Sequence, residues 1–182
     1  QAFEIDLPSL PEQQTIAGVL AKIQAAVEVQ EKIVAALKEL KAATMAKVFR
    51  EGIRGEPLKQ TEIGEIPEHW NVIQLGKIAQ VGNGSTPKRD NPAYWEDGKI
   101  PWLTSAKVHE SVIEFADEFV TDAARAECHL PIVKKGSIVV AITGQGKTLG
   151  NAALVTFDTC VSQHLAYIQF ETDEILPEFM LF

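Results

Sequence analysis

A single amphipathic pattern runs through residues 9–52 and constrains what the rest of the chain can fold into. Ser9, Pro11 and Glu12 write its start: a serine N-cap, a glutamate three residues on to complete a capping box, and a proline in the first turn, where its missing N–H costs nothing. The helix is therefore expected to begin at about Leu10. Apolar residues then fall on three neighbouring heptad rows: Ile16, Ile23 and Leu37; Val19, Ala26, Ile33 and Leu40; and Leu20, Val27, Val34 and Val48. No Gly or Pro interrupts the run between Gly18 and Gly52, and Gly52 stands where a helix-ending glycine would. At 1.5 Å per residue the rod is about 60 Å long, more than one small domain covers, so it calls for partner helices. A long core helix is the plainer alternative. Gln30, midway along the seam, fits either a register-fixing buried polar residue or a solvated edge position.

Beyond the helix the texture changes. Residues 53–69 are dense in Gly, Pro and charge and read as a linker. Short strand-like runs follow at 72–81, 113–120, 137–143, 152–157 and 165–170, with a loop-rich segment at 82–107. Residues 1–8 alternate weakly, like the tail of an upstream domain, and 175–182 begin a helix at Pro177 that stops in mid-pattern. The expected fold class is α+β: one long coiled-coil-like helix linked to a mixed, strand-rich domain at 70–182 that looks truncated. Cys128 and Cys160 lack metal-ligand spacing, and no secretory segment opens the chain, so a reduced, cytoplasmic protein is expected. No apolar run is long enough for a membrane span.

The net charge of −8 is unevenly placed. Residues 1–60 balance 8 acidic against 8 basic side chains, so the whole excess lies in 61–182. Such a balance argues against indiscriminate nucleic-acid binding. Only 82–108 and 130–157 in that half avoid a net negative charge.

Several motifs suggest chemistry and fail on their context. AITGQGKT (141–148) approaches a nucleotide-binding loop, but a Gly-Asn pair and a strand-like run follow it where a helix N-terminus is needed. A Gly-rich hairpin loop is the better reading. NPAY (91–94) resembles the Asn-Pro-Pro-Tyr motif of amino-methyltransferases without the second proline or a cofactor loop. Histidines 69, 109, 129 and 164 are scattered, with no carboxylate or cysteine at ligand spacing. Tyr94 and Trp95 precede, and Trp102 lies within, the strand-like IPWL (100–103), and all three read as packing residues rather than base-stacking platforms. No catalytic residue, metal site or cofactor is expected.

LPSLPEQQTIAGVL (7–20) opening a long helix, then TEIGEIPEHWNVIQLGKIAQV (61–81), GNGSTPKRDNPAYW (82–95), KIPWLTSAKV (99–108) and GSIVVAITGQGKTLGNAAL (136–154), resembles the specificity subunit of type I restriction-modification systems. The resemblance covers nearly the whole chain. It implies a target-recognition domain at 70–182, a spacer and dimerisation helix at 9–52, and the tail of a first recognition domain at 1–8. The chain would then be a fragment or a half-sized subunit. It also implies double-stranded DNA as ligand, methyltransferase (modification) and motor/nuclease (restriction) subunits as partners, a possible homodimer through the helix, and no catalysis by this chain.

Reading bases requires Arg or Lys for guanine, Asn or Gln for adenine, and hydroxyls for phosphate, carried on loops that enter a groove. Two loops carry these types: Ser85, Thr86, Lys88, Arg89 and Asn91 in one, and Gln145, Lys147, Thr148 and Asn151 in the other. Arg89 and Gln145 are the expected base contacts, with Lys88, Lys107 and Lys147 on phosphate. For the helix interface the expected residues are Ile16, Val19, Leu20, Ile23, Val27, Gln30, Ile33, Val34, Leu37 and Leu40. A scaffold that recruits a methyltransferase through its helix without touching DNA is the competing reading.

Overall fold

The structure, a computed structural model, describes residues 6–144 and 148–181. It divides into two units, Gln1–Asn71 and Val72–Phe182.

The first unit is dominated by α1 (Leu10–Glu51), 42 residues of unbroken helix and about 63 Å of rod. Its start follows the capping logic of the sequence. The Glu12 carboxylate accepts from the Ser9 backbone N–H at 3.0 Å and from the Ser9 hydroxyl at 2.6 Å, which holds the Glu12 carboxyl below its ordinary value. At the other end Gly52 takes φ +68° and donates its N–H to Val48 O at 3.0 Å. No residue of α1 is buried, and the large apolar side chains of the seam from Ile16 to Leu40 are 45–63 % exposed. An uncovered stripe of this length is what a helix built for partners presents.

Residues 53–69 hold more than a connection. Strands β1 (Leu58–Thr61) and β2 (Gly64–Pro67) form an antiparallel hairpin in which Thr61 pairs with Gly64. It folds against the end of α1, where Arg50 reaches Glu65 at 3.6 Å and a Cβ on Gly52 would stand 3.0 Å from the Pro67 ring. Ile66 and Pro67 are buried there, and Glu56 pairs with His69 at 2.8 Å.

The second unit is built on two sheets. Its elements in order are β3 (Ala79–Asn83), β4 (Ile100–Leu103), β5 (Val112–Ile113), β6 (Glu118–Val120), α2 (Asp122–Glu127), β7 (Ile138–Ala141), β8 (Ala152–Val155), β9 (Cys160–Val161), β10 (Leu165–Phe170) and α3 (Pro177–Met180). The larger sheet has the order β3-β10-β7-β8-β5, antiparallel except for β5 beside β8. In the smaller, β4 lies between antiparallel β6 and parallel β9. β7, rich in Ile and Val, sits second from neither edge and is buried along most of its length, as a central strand should be. Leu103, Ile113, Val139, Val155 and Leu165 form the main core, and Trp102, Val120, Ala124, Leu130 and Cys160 a second one. Burial pushes the Cys160 thiol up to about 11, which makes it an inert core residue at neutral pH.

The strand-like runs at 137–143, 152–157 and 165–170 each contain a strand, the last with matching bounds. Two others differ. In 72–81 the strand starts only at Ala79, because Leu75–Lys77 wind into a 3-10 turn. The run at 113–120 is divided between the two sheets, with residues 114–117 turning the chain from β5 to β6. α2 is a further element that no strand-like or helical period in the sequence announces; Thr121 caps it by accepting from Ala124 N–H at 3.1 Å. Among the described residues, no helix is long and apolar enough to cross a membrane.

Candidate nucleic-acid interface

Strand register brings several connections of the second unit to one end of the larger sheet. Asn83 stands opposite Ala166, Leu165 opposite Ala141, and Val140 opposite Ala152. The chain therefore leaves β3, enters β10, and passes from β7 to β8 at the same end. β5 runs parallel to β8, and Leu154 N–H donates to Ser111 O at 2.8 Å, so the turn preceding β5 arrives there too. The roots of both loops singled out in the sequence, 83–85 in the first and 141–142 with 148–151 in the second, thus lie at one sheet end, together with the 162–164 turn.

The first loop is fastened at its root. Gly84 N–H donates to Leu165 O at 3.3 Å and Ser85 N–H to Val161 O at 3.1 Å, so close that a Cβ on Gly84 would overlap the Val161 carbonyl. Two indoles pin it further on. Trp102 Nε1 donates to Ser85 O at 3.2 Å and Trp95 Nε1 to Lys88 O at 3.0 Å. Asn91 Oδ1 accepts from Ala93 N–H at 3.2 Å and caps the 3-10 turn Pro92–Tyr94. The Tyr94 hydroxyl donates to Glu127 at 2.7 Å, which raises the tyrosine above its ordinary value. Thr86 is half-buried, and Lys88 reaches solvent.

Arg89 is already engaged. Its guanidinium forks onto the Glu118 carboxylate and lies 4.0 Å from the Trp95 ring centre and 4.8 Å from that of Trp102. Its side chain remains about half exposed. The two indoles meet edge to face at 5.2 Å, in keeping with the packing role expected of them.

The second loop is held by histidines. Thr143 Oγ1 lies 2.6 Å from His164 Nδ1, and Ile142 N–H donates to His164 O at 3.0 Å. His109 lies 3.2 Å from Thr148 Oγ1 through Nε2 and 3.2 Å from Asn151 Nδ2 through Nδ1. Neither histidine stands at ligand spacing in the sequence, and their contacts lie too far along the chain for spacing to disclose them. Gln145 and Lys147 lie outside the described residues.

Lys107 stands apart from the other candidates. It is buried, with Nζ 2.6 Å from Glu110, 3.5 Å from Asp117 and 4.0 Å from the centre of the Phe115 ring. The Glu110 hydrogen bond outweighs burial and raises the ammonium above its ordinary lysine value. A raised folded value means that its contribution is complete below the unfolded lysine pKa and fades as pH rises through the folded one. Native protein is therefore expected to lose stability above about pH 10.4, and K107M to lose less over the same interval in denaturant titrations. Equal losses would contradict that role. Among the described residues no three His, Cys, Asp or Glu side chains gather as a metal site.

The second unit is thus a mixed-sheet domain with polar loop roots at one sheet end, and the first a long helix with an uncovered apolar seam. Residues 67–182 match the type I restriction modification DNA specificity domain, and the chain belongs to that family. It is 34 % identical over 124 residues to the type I restriction enzyme MjaIX specificity subunit of Methanocaldococcus jannaschii, covering 60 % of this chain and 28 % of that one. To the MjaVIII specificity subunit of the same organism it is 27 % identical over 189 residues, covering 99 % and 43 %. The crystal structure of the HsdS subunit from Thermoanaerobacter tengcongensis shares the fold at a TM-score of 0.55 and 18 % identity, covering 96 % of this chain and 40 % of that one. The chain thus spans less than half the length of these relatives.

Proposed function

We propose that this chain recognises DNA sequence within a type I restriction-modification complex and performs no catalysis itself. The observation that carries the reading is the convergence of the roots of both donor-rich loops at one end of the β3-β10-β7-β8-β5 sheet, in the two stretches that escape the acidic charge of the domain. Double-stranded DNA would lie across that end. Lys88 and the hydroxyls of Ser85, Thr86 and Thr148 meet phosphate, and the carboxamides of Asn91 and Asn151 meet base edges, joined by Gln145 and Lys147. Arg89 contributes to base reading by exchanging its Glu118 partner for guanine, with the Trp95 face supporting the guanidinium in both positions.

In this reading the seam of α1 takes a partner helix and docks methyltransferase subunits, while a motor and nuclease subunit acts on the assembled complex. The acidic remainder of the domain keeps nonspecific attraction low, which favours a rare site over the excess of other DNA. One recognition domain alone binds weakly, and two on a shared rod gain by effective concentration.

The test is the salt dependence of duplex binding by the full chain. K88A is expected to flatten the slope of log affinity against log salt by about 0.9, the share of one phosphate contact. A slope unchanged in K88A removes Lys88 from the interface. No duplex binding by the native chain at low salt would favour the scaffold reading instead.

A further inference from the structure

Two exposed side chains of the second loop have the wrong chemistry for a solvated polar loop, Ile142 at its root beside β7 and, more exposed, Leu149 at the corner of a turn. Leu149 is 55 % exposed, between Thr148 and Gly150. It occupies the first corner of a tight turn closed by Asn151 N–H donating to Thr148 O at 3.1 Å, with Gly150 at φ +82° in the second corner, where a type II turn demands a positive φ. The base of the turn is bonded to the end of β7: Gly150 N–H donates to Ala141 O and Ala141 N–H to Asn151 O, both at 2.9 Å.

His109 locks the two ends of this turn together. The Asn151 amide nitrogen only donates, so His109 Nδ1 accepts from it and Nε2–H donates to Thr148 Oγ1. His109 is itself mounted on the 3-10 turn Ser105–Glu110, which is seated in the domain by buried Val108 and Lys107. The result is an apolar side chain on a fixed corner, needing little further ordering on contact.

The major groove offers one apolar feature at base edges, the C5-methyl group of thymine. We propose that Leu149 reads a thymine methyl in the target sequence, with His109 as the residue that positions it. The inference rests on the DNA-reading function proposed above and adds a specific reader to it.

The experiment uses the full chain, a duplex selected by it from a random library, and copies of that duplex in which each thymine in turn is replaced by uracil. Native protein is expected to lose about fourfold in affinity at one thymine position, the share of a single buried methyl group. L149A should bind the thymine duplex more weakly and show no loss on uracil substitution, with an unchanged thermal midpoint because the side chain is exposed. H109A should lose the same discrimination, and H109Q, whose amide again offers one acceptor and a donor, should restore it.

Uracil losses of the same pattern in native protein and L149A, or no uracil loss at any position, overturn the assignment of Leu149. Failure of H109Q to restore discrimination in a folded protein overturns the positioning role. If no duplex is selected at all, the DNA-reading function fails and this inference with it, a result distinct from selection without a uracil effect.

Discussion

Alanine at Gly84 is expected to destabilise the second unit by at least about 3 kcal/mol, near the top of what overpacking produces. The added methyl would overlap the carbonyl carbon and oxygen of Val161, which are backbone atoms and have no rotamer to escape into. Val161 is fixed in turn by the pairing of β9 with β4, where it stands opposite Leu103 in the core. Relief would require breaking the Ser85 N–H to Val161 O bond and lifting the first loop off the sheet. Denaturant unfolding reads this as a lower midpoint at similar slope. G150A supplies the contrast: its Cβ meets nothing within 4 Å, so only the positive φ opposes it, at about 1–2 kcal/mol. Equal effects of the two substitutions would contradict the close approach at Gly84.

Inserting one heptad into the exposed middle of α1, between Glu28 and Val29, is expected to redirect the complex to a different target. Seven residues lengthen the rod by about 10.5 Å, or roughly three base pairs at 3.4 Å each. A heptad keeps the seam in phase, so partner pairing survives while the separation of half-sites grows. The measurement is the spacer length in the methylated motif. An unchanged spacer in a soluble, assembled variant would contradict the role of α1 as a ruler.

What the sequence disclosed and what it withheld divide along the range of the interactions. The start of α1 was legible because Ser9 and Glu12 satisfy each other three residues apart, and its end because Gly52 takes a left-handed φ one residue past the helix. β10 was legible as a compact apolar run. The β1–β2 hairpin was hidden by its own composition, since Gly64 and Pro67 read as linker punctuation until their cross-strand partners are seen. The types of residue on the two polar loops were legible, but their postures were not. Arg89 meets Glu118 across 29 positions of sequence, and His109 reaches Thr148 and Asn151 across 39 and 42. Lys107 reads in the sequence as a phosphate contact, and only the structure discloses that Glu110, Asp117 and Phe115 surround its ammonium. No local period announces such contacts, because they are set by strand order.

The central claim, that this chain specifies a DNA sequence, is tested most directly by mapping methylated bases in cells that express it with a cognate methyltransferase subunit and no other specificity subunit. Methylation confined to one bipartite motif is expected, with palindromic halves if two copies of the chain pair along α1. Methylation scattered without a motif, or absent although the two proteins co-purify as a complex, would contradict it.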